Sequence, residues 1–83
     1  MNGMQERIEL PTGQEVEQVM GIIREEFARA GVTLDSLTER PEGGIIAKAL
    51  MTTGVRMKLV NALFGHGILM VSLGGDYGFA VRR

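Results

Sequence analysis

Residues 45–64 read IIAKALMTTGVRMKLVNALF, and the fold turns on whether they make two helices or part of a β-meander. Ile46, Ala49 and Leu50 fall at helical spacing. Val55, Leu59, Leu63 and Phe64 do the same in the second half, where they would face inward. The same half also alternates, with Val55, Met57 and Leu59 set against Arg56 and Lys58, as a half-buried strand would. Ala, Leu, Met and Lys are strong helix formers, which turns the reading toward helix. Thr52-Thr53-Gly54 is then a helix–helix turn, whereas in a meander it would be a hairpin turn.

Downstream, Gly65 ends the second helix, and ILMVSL (68–73) and GFAVRR (78–83) pair around GGDY as a C-terminal β-hairpin. ILMVSL is apolar on both faces except at Ser72. One face meets the core, and the other calls for a cover from a second subunit or a partner. Upstream lies the best-defined element, an amphipathic helix over 13–30. Val16, Val19, Met20, Ile23, Phe27 and Ala30 form one apolar stripe, Thr12 and Glu15 read as a capping box, and Gly31 supplies the stop. RIEL (7–10) before it reads as a short strand with Ile8 and Leu10 on one face, VTLDSL (32–37) after it as a weak strand, and TERPEGG (38–44) as a turn. The expectation is an α+β fold in a single small domain, 1–83: an N-terminal amphipathic helix, a central helix–turn–helix and a C-terminal β-hairpin.

Eighty-three residues make a thin core, for which small domains compensate with disulfides, metals or oligomerisation. The chain has no cysteine, which excludes disulfides and thiolate zinc sites, and its single histidine argues against a metal site within one chain. Oligomerisation remains, and 45% hydrophobic residues with six methionines suit a homodimer. The longest uncharged run, Leu59 to Gly75, is broken by Asn61, His66, Ser72 and glycines, so no membrane span is expected and a cytoplasmic setting is the simplest reading. Residues 1–40 hold four basic groups against eight acids, and residues 41–83 hold five against two. That asymmetry hints at an anion-facing surface, although charges this sparse also partition by chance.

Ile46-Ala47…Leu50, then Gly54-Val55…Val60…Leu63, then Gly67-Ile68-Leu69 leading to Gly74-Gly75-Asp76-Tyr77-Gly78, loosely resemble a winged helix-turn-helix domain. The resemblance covers about residues 13–83, with a longer turn before Gly54 and a shorter stretch before Gly67 than that pattern has. It implies DNA binding, with Arg56, Lys58 and Asn61 near the start of a recognition helix and Arg82, Arg83 and His66 on phosphates. The chain also resembles, more weakly, Alba-like domains, which are dimeric and bind nucleic acid.

A different class of function is read from the residues themselves. Met51, Met57, Phe64, Leu69, Met70, Val71 and Phe79 could form an adaptable apolar surface of a protein-binding adaptor or inhibitor, and the hairpin edge could add a strand to a partner's sheet. The same residues also suffice as the core of a small protein. No nucleophile elbow or phosphate loop is present, and His66 lies between glycines as turn residues do, so no enzyme activity and no cofactor are expected.

Overall fold

The computed structural model describes residues 7–83 and shows an α+β fold. In chain order the elements are β1 (Ile8–Glu9), α1 (Gln14–Arg29), β2 (Ser36–Glu39), β3 (Ile45–Lys48), α2 (Thr53–Phe64), β4 (Ile68–Leu73) and β5 (Asp76–Arg82). All strand pairings are antiparallel. β5 is the hub: β4 lies along one edge, while β3 and β1 share the other end to end, with β2 outside β3. Both helices lie on one face of this sheet.

α1 forms where its apolar stripe indicates. Val16, Val19, Met20, Ile23 and Phe27 are all buried. The Phe27 ring meets that of Phe79 on β5 edge to face, with centroids 6.4 Å apart. The helix closes in a Schellman motif: Val32 N–H donates to the Phe27 carbonyl, Gly31 N–H donates to the Ala28 carbonyl, and Gly31 takes φ +74°. Its start departs from the expected capping box. Gly13 occupies the cap and no side chain caps the helix.

The decisive stretch divides differently from the expected helix–turn–helix. Ile45–Lys48 is a strand, paired through Ser36↔Lys48 to Glu39↔Ile45 on one side and Ile45↔Phe79 to Ala47↔Tyr77 on the other. Ile45 and Ala47 are buried and Lys48 is exposed, a period of two. Two neighbouring strands satisfy this backbone, and that pairing outweighs the helix propensity of a four-residue run. Ala49–Met51 are irregular, and Leu50 is 91% exposed rather than inward. Thr52 is then the cap of α2, its hydroxyl accepting from Val55 N–H at 3.2 Å, so Thr52-Thr53-Gly54 opens a helix instead of joining two. Leu59 and Leu63 are buried as expected, but Phe64 remains 43% exposed. β2 also begins later than VTLDSL suggests, leaving Arg40–Gly44 as the turn.

The end of β5 is fastened to both β1 and α1. Arg83 donates to Glu9 and, bidentately, to Glu15. These hydrogen bonds with Arg83 hold the Glu15 carboxyl below its ordinary value of 4.5, and the Arg83 guanidinium is raised in turn, first by Glu15 and then by Glu9. A carboxylate with a depressed pKa stabilises the fold above its unfolded value and loses that contribution as pH falls through the folded one. Arg83→Gln is therefore expected to melt below wild type at pH 7, with the gap closing below about pH 4.5. Melting curves between pH 7 and pH 3 check this, and a pH-independent gap would remove the ion pair as its cause.

Candidate functional site

Side chains alternate across the sheet, so burying one set against the helices fixes where the other set points. Ile68 and Met70 of β4, Phe79 and Val81 of β5, and Ile45 and Ala47 of β3 are buried in the core. Leu69, Val71 and Leu73, Gly78 and Ala80, and Ile46 therefore take the opposite face. The pairing sets Val71, Gly78, Ile46 and Thr38 in one row across four strands. Leu10, just beyond β1, lies over Gly43 and Gly44: a Cβ at either glycine would sit 3.5 or 3.4 Å from its methyls. No helix of the described residues covers this face.

The result is an open apolar groove of about 450 Å³. Its floor is Ile46, Gly78 and Ala80, with Leu10 on one side and Val71 and Leu73 on the other. Leu10, Val71 and Leu73 are 49%, 52% and 46% exposed, a large fraction for aliphatic side chains set side by side. Gly78 shapes the floor, because a Cβ there would come within 2.6 Å of a Leu73 methyl. Charge is confined to the rim, where Arg40 and Glu42 pair at 2.7 Å. The Glu42 carboxyl is held below its ordinary value, first by its own backbone N–H and then by Arg40.

The residues expected to meet nucleic acid divide: Lys58 and His66 both lie beside Glu26, whereas Arg56 and Arg83 point elsewhere. Arg56 and Lys58, two positions apart on α2, point about 200° apart around the helix. Lys58 borders a shallow cavity between the helices with Glu26 and Arg29, and Asn61, three positions on, is exposed. His66 Nε2 lies 2.9 Å from the carboxylate of Glu26, which also accepts from Arg29 at 3.1 Å. The Arg82 guanidinium sits 4.4 Å from the centre of the Phe64 ring, and Arg83 holds Glu9 and Glu15.

The residues expected at a protein interface separate into two groups. Met70 and Phe79 belong to the core, at 6% and 2% exposure. Leu69 and Val71 lie on the open face, and Phe64 is exposed at the end of α2. Sequence reasoning missed Ile46, Leu73, Gly78 and Ala80 as parts of this face. The alternation of ILMVSL carried the signal for Leu73, as did Ile8 and Leu10 within RIEL for that side of the groove. Among the described residues no group of three or more His, Asp or Glu side chains could hold a metal ion, and no helix is long and apolar enough to cross a membrane. The chain matches no protein-family model, no curated protein and no solved structure.

Proposed function

We propose that the protein is a non-catalytic binding module that captures a partner protein through the open face of its sheet. The observation that carries this reading is the groove walled by Leu10, Val71 and Leu73 and floored by Ile46, Gly78 and Ala80, on a face left uncovered by the helices. Contiguous exposed apolar surface is unfavourable in water at roughly 25 cal/mol per Å², and on small proteins it marks interaction sites. A floor lowered at Gly78 and Ala80 between taller walls suits a ridge of apolar side chains, such as one face of an amphipathic helix. The engagement of Arg83 by Glu9 and Glu15 and of His66 by Glu26 favours this reading over DNA binding, because groups held by carboxylates within the fold are not free to meet phosphates.

Site-specific photo-crosslinking tests it, with the reactive side chain at Leu10, on the groove wall away from the β4 edge, and, as control, at Glu25 on the exposed side of α1. Leu10 is expected to give a discrete adduct whose mass differs from twice the 9.0 kDa chain, and Glu25 none. Gly78→Ala puts a methyl on the groove floor within 2.6 Å of Leu73, which must move, and should reduce the adduct several-fold while the fold persists. Equal labelling from both positions would remove the face as a docking site. Fluorescence anisotropy with duplex DNA completes the test: binding that weakens steeply with salt, and is lost in Arg56→Ala/Lys58→Ala, would move the function to DNA.

A further inference from the structure

β4 is an edge strand, and the direction of its backbone groups follows from its partner. Arg82 N–H donates to the Gly67 carbonyl at 2.8 Å, so Gly67↔Arg82 is a hydrogen-bonded pair. In the alternating antiparallel pattern the next such pairs are Leu69↔Ala80, Val71↔Gly78 and Leu73↔Asp76. The N–H and C=O groups of Ile68, Met70 and Ser72 therefore point away from β5, and among the described residues nothing bonds to them. An edge of this length is ordinarily protected by a charge, a proline or a bulge. β4 has none of these across six residues, whereas the opposite edge, β2, is four residues long and ends on Glu39.

A second observation lies on the helix above that edge. α2 packs over β4, and Lys58, Leu59 and Ala62 face α1 across the cavity they share. Helical periodicity sets Met57, Val60 and Phe64 on the other flank, away from α1 and on the side of the free edge. Met57 is 57% exposed and Phe64 43% exposed with the Arg82 guanidinium beside its ring, so this flank is a second apolar stripe that no helix or strand of the described residues covers.

We propose that β4 pairs antiparallel with β4 of a second copy, about a two-fold axis at Met70, with the Met57/Val60/Phe64 flanks of the two α2 helices packed above it. The register follows from the backbone. Only pairing Ile68 with Ser72 of the second copy, Met70 with its counterpart and Ser72 with Ile68 joins every outward group on both edges, in six hydrogen bonds. The same register sets Leu69 against Val71 of the second copy, an apolar cross-strand pair. A strand edge alone falls short of the ~800 Å² per partner that stable interfaces bury, and the helix flanks supply the additional apolar surface. The symmetry is isologous, as in most homodimers. Pairing would also join the two open sheet faces into one broad surface, although the dimer does not depend on that face binding a partner.

Sedimentation of the full chain, with disulfide trapping, tests the arrangement. Wild type is expected to sediment at twice 9.0 kDa. Ser72→Pro removes an outward N–H without breaking a bond to β5, and Met57→Glu charges the helix flank; each should raise the dimer dissociation constant at least tenfold. The chain has no cysteine, so a single one can be introduced cleanly. Leu69→Cys chains mixed with Val71→Cys chains should cross-link on oxidation. Each alone should not, because like positions lie beyond the ~7 Å Cα separation a disulfide spans. A monomer at high micromolar concentration would overturn the proposal, as would a dimer whose mixed cysteine chains fail to cross-link. Should Ser72→Pro fail to fold, the cysteine pair still decides.

Discussion

Phe27→Ala is expected to lower stability by about 3–5 kcal/mol, the range for truncating a fully buried aromatic side chain. Phe27 is 1% exposed, and its ring is the part of α1 that reaches Phe79 on the hub strand. The loss combines transfer of the ring, the cavity left beneath α1 and an edge-to-face contact worth about 0.5–1.5 kcal/mol. Small domains hold only about 5–15 kcal/mol in total, so the variant should sit close to its unfolding transition at 37 °C. Urea denaturation followed by circular dichroism measures the effect. With a slope near 1 kcal/mol/M for a chain of this size, the midpoint should fall by about 3 M or the transition should begin without denaturant. A shift below about 1 M would mean that α1 does not dock on the sheet through this ring.

Phe27 also shows why α1 was legible in the sequence. The stripe from Val16 to Phe27 repeats over twelve residues of a sixteen-residue helix, long enough for the helical period to stand apart from any other, and Gly31 marks its end. Ile45–Lys48 lacked that advantage. Four residues of Ile, Ile, Ala and Lys satisfy a helix or a strand equally, and what decides between them is pairing with Tyr77–Phe79, some thirty residues away. Composition carries no record of that partner. Gly43 and Gly44, at φ +104° and +92°, bring the chain around from β2 so that the pairing can form.

The candidate face divides along the same line. ILMVSL is long enough for its alternation to be read, and its second apolar face, Leu69 and Val71, does lie on the side away from the helices. Ile46 could not be placed beside it while residue 46 was read as helical. Gly78 and Ala80 were invisible for a different reason: they contribute by being small, and only the row Val71–Gly78–Ile46 shows what their smallness makes room for. The charged residues also have directions that composition does not record. Arg83 and His66 turn to Glu15 and Glu26, acids in the N-terminal half of the chain, so part of the apparent acid–base asymmetry is consumed inside the fold.

The second large effect is expected at the hairpin, where Gly75→Val should cost about 1–3 kcal/mol and Gly74→Asn should lie within about 0.5 kcal/mol of wild type. Leu73 pairs with Asp76, so only Gly74 and Gly75 turn the chain, and both have positive φ, +56° and +107°. That is the pattern of a type I′ turn, which matches the right-handed twist of the flanking strands. At +56° Gly74 occupies the left-handed region that Asn tolerates well. At +107° Gly75 lies beyond it, where a β-branched side chain collides with its own backbone. Nothing else lies within 4 Å of a Cβ at either position, so a difference between the two variants isolates backbone strain from packing. The consequence is local as well as global, because this turn sets the register in which β4 pairs with the hub strand. Hydrogen exchange should therefore rise in Gly75→Val over residues 68–82 before it rises in α1. Equal loss of protection in both regions would mean that the hairpin and the helix open as one unit, and that neither the open face nor the β4 edge can be loosened without unfolding the whole domain.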